Sequence, residues 1–126
     1  MANILVIDDE AALREVIRDS LEPLGHTIVE ASNGLLGMQR FKEAPFDLVI
    51  TDIIMPDQEG IETIQQMLKF RPAQKIIAMS GGGRTKTVEF LQIAQKLGAS
   101  RVLKKPFPPS VIRDIVKTCL QSPEAG

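Results

Sequence analysis

The residues best suited to chemistry in this chain are Asp8-Asp9, Asp52, Ser80 and the run Lys104-Lys105-Pro106. Each follows an apolar stretch of strand length: Ile4 to Ile7, Phe46 to Thr51, Lys75 to Met79 and Arg101 to Lys104. In open parallel sheets, ligands bind outside the carboxyl ends of the strands, so side chains just past those ends share one edge. Carboxylates crowded there raise one another's pKa, and a hard divalent cation removes that cost. Mg2+ suits a site with few carboxylates and several retained waters. A lone aspartate at a strand end is often only a helix N-cap or turn former, which would account for Asp8 or Asp9 singly. It does not account for acids, a hydroxyl and an ammonium on the same edge.

The elements that must position these groups alternate along the chain. Ile4-Leu5-Val6-Ile7 is continuous rather than alternating, as expected of a strand covered on both faces. A helix follows from Glu10 to Leu24, with Leu13, Val16, Ile17, Leu21 and Leu24 on one stripe and Gly25 as its stop. Thr27 to Ala31 is a weaker strand suited to a sheet edge. Ser32-Asn33-Gly34 is a turn and cap for a helix carrying Leu35, Met38 and Phe41, which ends before Pro45. After the third strand, Ile61, Ile64, Met67 and Leu68 mark another helix. Phe90, Leu91, Ile93, Ala94 and Leu97 mark a fourth, ahead of Gly98. Pro108 or Pro109 opens the last, whose apolar face holds Val111, Ile112, Ile115, Val116, Cys119 and Leu120. Strict alternation of this kind predicts an α/β fold, a parallel sheet with helices on both faces. Residues 1–121 form the expected domain and 122–126 a disordered tail.

Composition narrows the function. The chain has 126 residues and 13.9 kDa, one domain able to bury roughly two-thirds of its surface. Fifteen basic against sixteen acidic residues argues against direct nucleic-acid binding by bulk charge. One cysteine and one histidine exclude an intrachain disulfide and a Cys/His zinc site. The first apolar run lacks a basic flank and stops at Asp8, too short for a signal peptide or a membrane span. The reading is a cytoplasmic protein without a membrane partner.

Val6-Ile7-Asp8-Asp9-Glu10, Thr51-Asp52-Ile53-Ile54-Met55-Pro56, Met79-Ser80-Gly81 and Leu103-Lys104-Lys105-Pro106-Phe107 carry a resemblance over essentially the whole chain. In this pattern the sequence resembles a receiver domain of the two-component response regulator family, of the single-domain chemotaxis type. The resemblance implies a flavodoxin-like, doubly wound five-stranded sheet in the order 2-1-3-4-5 with five helices. That order is a known property of chemotaxis receivers and does not follow from the alternation of elements. The resemblance also implies that Asp52 is the phosphoacceptor, attacking a phosphohistidine on a sensor histidine kinase or phosphotransfer protein. Asp9 and Asp52 would ligate Mg2+ with the backbone carbonyl of Ile54, and Asp8 would act largely through water. Lys105, which directly precedes the proline, would pair with a phosphoryl oxygen, and Ser80 would donate to another. Lys104 reads as a solvated charge. The Lys105–Pro106 bond is expected to be cis. The domain would be a switch rather than an enzyme, its only chemistry being self-phosphorylation and dephosphorylation. Its output would be a downstream protein partner, or a domain beyond Gly126 if the receiver is a module of a larger regulator or hybrid kinase.

Two departures from the family pattern stand out. Many receivers carry Tyr or Phe where this chain has Val102, and the sequence contains no Tyr at all. The interval from Ser80 to Lys105 is also long and begins with Gly81-Gly82-Gly83. That glycine run is not a P-loop, because Thr85 stands before Lys86 where glycine is required. A haloacid-dehalogenase-like phosphatase is the enzymatic alternative, but Asp8 and Glu10 match its paired acids only loosely. His26 is expected at the surface, and Cys119 buried and inert.

Overall fold

Each continuous apolar run is a strand in the computed structural model, which describes residues 2–53, 60–80, 92, 95–96 and 98–121. The strands are β1 (Asn3–Ile7), β2 (Thr27–Ala31), β3 (Leu48–Asp52), β4 (Ile76–Ser80) and β5 (Arg101–Lys104). All pair in parallel in the order β2-β1-β3-β4-β5, the flavodoxin-like arrangement that the resemblance implied. The registers Ile7 with Thr51, Asp52 with Met79 and Ser80 with Lys104 bring four strand ends level on one edge.

Four α-helices lie among the described residues: α1 (Ala11–Leu21), α2 (Gly34–Glu43), α3 (Gly60–Phe70) and α4 (Pro109–Gln121). The fifth expected helix, between β4 and β5, falls mostly outside them, although residues 92, 95 and 96 are helical. The expected tail at 122–126 and the Gly81-Gly82-Gly83 run also lie outside the described residues.

Successive strand side chains point to opposite faces, which divides the core in two. Ile4 and Val6 of β1 pack with Ile17 and Leu21 of α1 and with Ile112, Val116 and Cys119 of α4. Leu5 and Ile7 pack on the other side with Met38 and Phe41 of α2 and with Ile64 and Met67 of α3. Phe41 is fully buried, and truncating such a ring to alanine costs about 3–5 kcal/mol. α2 approaches β1 so closely that a Cβ at Gly37 would collide with Ile7 Cδ1. Burial pushes the Cys119 thiol pKa up, as suits an inert core residue.

Several expectations are corrected in detail. α1 stops at Leu21, not Leu24, because Pro23 has no amide proton and its ring would clash with the preceding turn. Glu22–Leu24 instead forms a 3₁₀ turn, ended by Gly25 at φ 97°. Leu24 and Val16 are exposed, and the stripe facing the core is the narrower Leu13, Ile17, Leu21 set at four-residue spacing. In α2, Asn33 accepts from the Leu36 amide at 2.8 Å, and that cap turns Leu36 inward and Leu35 out to solvent. Val111 of α4 is exposed as well. His26 is half-buried rather than on the surface, since its Nδ1 accepts from the Ala2 amide at 3.1 Å.

Candidate functional site at the carboxyl edge of the sheet

β1 delivers Asp8 into the sheet edge with most of its hydrogen bonds already committed. Its amide donates to the Ala31 carbonyl of β2 at 3.1 Å, which keeps it in line with the sheet. Its Oδ1 accepts from the Glu10 amide at 2.8 Å, an Asx turn that leads into α1. Its Oδ2 is left to accept from Lys105 Nζ at 2.8 Å. The same ammonium donates to Asp52 Oδ2 at 3.1 Å, so one lysine stands between two carboxylates. Asp8 is 0% and Asp52 5% exposed, so the trio is held largely away from water.

Lys105 reaches this place because the chain turns sharply after β5. The Lys105–Pro106 bond is cis, as expected, and the Lys105 amide donates to the Ser80 carbonyl at 2.8 Å. Burial alone would pull the Lys105 pKa down. The hydrogen bond that Lys105 donates to Asp8 and the charges of Asp52 and Asp8 outweigh it, and the pKa is raised above the usual lysine value. Lys104, one residue earlier, is exposed, in keeping with a solvated charge.

The remaining expected residues are distributed around this trio. The carboxylate oxygens of Asp8, Asp9 and Glu10 lie within 4.8 Å of one another, with Asp9 and Glu10 exposed. Asp52 is not part of that acidic group; its Oδ2 is turned to Lys105. An all-oxygen, carboxylate-rich donor set open to solvent on one side fits a hard cation such as Mg2+ that keeps several waters. Ile54, whose carbonyl was expected to join it, lies outside the described residues. Ser80 is fully buried, and its Oγ has no hydrogen-bond partner among the described residues. A buried hydroxyl left so costs about 1–3 kcal/mol, which an acceptor brought to this edge would relieve. Val102 is half-buried against the α2–α3 side of the core.

Sequence reasoning missed Glu10 and Arg14 as members of this edge. Glu10 Oε1 comes within 3.9 Å of Lys105 Nζ. Arg14 Nη1 donates to the Asp8 carbonyl at 2.7 Å. In the sequence Glu10 stands out only as part of the acidic motif, and Arg14 does not stand out at all. The available signal was spacing: Arg14 follows Glu10 by one helical turn and so rises over the acidic turn.

A family model described as the response regulator receiver domain matches residues 4–117. The chain is 36% identical over 108 residues to the chemotaxis protein CheY of Thermotoga maritima, covering 85% of this chain and 88% of that protein. It is 34% identical over 121 residues, 96% of its length, to the DNA-binding transcriptional regulator NtrC of Azospirillum brasilense, of which it spans only 24%. Among solved structures, a response regulator receiver domain protein from Clostridium thermocellum matches with a TM-score of 0.87 at 30% identity, covering 95% of this chain and 94% of that one. No helix among the described residues is long and apolar enough to cross a membrane.

Proposed function

This chain belongs to the response regulator receiver family, and we propose that its Asp52 accepts a phosphoryl group from a phosphohistidine on a sensor histidine kinase or phosphotransfer protein. The observation that carries this reading is the pairing of Asp52 with Lys105 at 3.1 Å, with Asp8 on the other side of the same ammonium at 2.8 Å. An Asp52 carboxylate oxygen attacks phosphorus, a P–O bond forms, and the P–N bond to the donor histidine breaks with its electron pair left on the imidazole. Asp8, Asp9 and Asp52, with the Ile54 carbonyl, would hold Mg2+, which offsets repulsion between the carboxylate and the anionic phosphoryl group.

The other residues each have a defined part. Lys105 keeps its bond to Asp8 and passes the second from Asp52 to a phosphoryl oxygen, as a point charge that needs no planar match. Ser80 donates its buried hydroxyl to another oxygen and so gains a partner that it lacks among the described residues. The acyl phosphate then alters the surface that a partner reads. On this reading the domain is a cytoplasmic signalling switch with no turnover on an external substrate, and residues 1–121 are its working unit.

A second reading concerns the output. Because the chain spans 24% of NtrC but 88% of CheY, the same receiver could serve an attached output domain or a separate protein. Acetyl phosphate with Mg2+ should add one phosphoryl group to the intact mass, and EDTA or Asp52→Asn should prevent it. Labelling of Asp52→Asn at the wild-type rate would exclude Asp52 as the nucleophile.

A further inference from the structure

Arg14 stands outside the ion cluster but is tied to it through the main chain. Its Nη1 donates to the Asp8 carbonyl at 2.7 Å, while its Nε donates to Glu30 Oε1 at 2.9 Å. Glu30 lies on β2, and its second oxygen accepts from Arg18 Nε at 2.7 Å. One guanidinium thus spans the distance from the edge strand to the acidic turn, with separate nitrogens engaged at each end. The Arg14 side chain is only 16% exposed, too enclosed for a freely solvated helix charge.

The carbonyl that Arg14 holds belongs to the peptide unit joining Asp8 to Asp9. That unit fixes the direction in which Asp9 leaves β1, and the next amide, that of Glu10, closes the turn onto Asp8 Oδ1. Arg14 also donates its own amide to the Glu10 carbonyl at 3.1 Å, so the turn is held from both its ends. We propose that Arg14 is a positioning residue for cation binding at the Asp8-Asp9-Glu10 turn, held in place by Glu30 of β2. The inference rests on the reading of this edge as a Mg2+ site.

Charge and geometry predict opposite signs. If only the electric field mattered, removing the Arg14 charge would tighten binding of a nearby cation. If Arg14 holds the Asp8–Asp9 peptide, removing it weakens binding, by about tenfold for a typical outer-shell partner. Arg14→Lys keeps the charge, but its single nitrogen cannot replace a fork that serves two partners, so it should not rescue. Glu30→Ala frees Arg14 and should weaken binding in the same direction, by less. Glu30→Gln keeps an oxygen facing Nε and should recover most of that loss.

The chain has no Trp or Tyr to report binding optically, so calorimetric titration with Mg2+ is the direct measurement. It should be made on wild type, Arg14→Ala, Arg14→Lys, Glu30→Ala and Glu30→Gln, with urea midpoints as a check on folding. In cation-free protein, the Glu10 amide should exchange faster in Arg14→Ala than in wild type. Mg2+ affinity that is unchanged or tighter in Arg14→Ala overturns the positioning role. If Arg14→Ala does not fold, equal affinities for Glu30→Ala and wild type overturn it instead. A wild type that binds no Mg2+ overturns the underlying reading of the pocket, a separate failure.

Discussion

The two edges of this sheet put aspartate to different uses. At the amino edge, Asp47 Oδ2 accepts from the Asn3 amide at 2.8 Å, and the Asp47 amide returns a bond to the Asn3 carbonyl. A cavity of about 670 Å3 opens there, lined in part by His26, Asp47, Arg71 and Lys75. Several of its groups reach backbone: Arg71 Nη1 donates to the Phe41 carbonyl at 2.6 Å, and Lys75 Nζ to the Leu120 carbonyl at 3.3 Å. At the carboxyl edge, Asp8, Asp52 and Lys105 are instead directed at one another. What marks the carboxyl edge is that buried carboxylates there converge on one ammonium at the strand ends, whatever the volume of the hollow at the other edge.

The largest expected effect that separates the edges is on stability. Lys105→Met should remove the ammonium that two buried carboxylates share, a loss on the order of 3–5 kcal/mol in the absence of divalent cation. Asp47→Asn, at an exposed position that keeps an acceptor oxygen, should cost under about 1 kcal/mol. Urea unfolding of both variants in EDTA measures the contrast. Equal midpoints for Lys105→Met and wild type would mean that the trio is not a coupled unit.

Next in size is the alkaline limb of the stability profile. A lysine whose folded pKa is raised stabilises the fold fully below its ordinary value of 10.5, and that contribution disappears as pH rises through the higher folded value. Wild type should therefore lose stability above the ordinary lysine pKa more steeply than Lys105→Met. With no tyrosine in the chain, phenol ionisation does not confuse that range. Parallel profiles for the two proteins would remove Lys105 as the cause.

These contrasts also explain what the sequence makes legible. The three inner strands can be read because they are buried on both faces, so Ile4 to Ile7 is a continuous apolar run and needs no periodicity to declare itself. Helix faces are harder, since a stripe one residue too wide admits Val16, Leu24 and Leu35, and only packing shows which side wins. Pro23 was a visible signal for the end of α1, overridden by the apolar residue that follows it. Strand order came from family resemblance, because alternation alone is compatible with several orders. At the site, Asp8, Asp52 and Lys105 were legible as strand-end residues. Arg14 and Glu30 were not, because their meeting depends on β2 lying beside α1, 16 positions apart in sequence.

The smallest effect tests the amino edge by itself. Burial lowers the His26 pKa below its ordinary 6.5, consistent with a neutral ring whose Nδ1 accepts from the Ala2 amide. The sign follows from proton uptake. As pH falls below 6.5, the unfolded chain binds a proton that the folded one resists, so stability drops until the lower folded pKa is passed. His26 is the only histidine, so between about pH 7 and about pH 5.5 the His26→Gln comparison isolates the imidazole's contribution. The urea midpoint of wild type should decline across that window, and His26→Gln, whose amide oxygen can accept from Ala2 without titrating, should stay flat. Asp52 labelling by acetyl phosphate should be the same in both proteins, because His26 lies at the opposite edge from Lys105. A midpoint that falls equally in His26→Gln would assign the pH response elsewhere. A change in labelling would show that the two edges are coupled through the sheet.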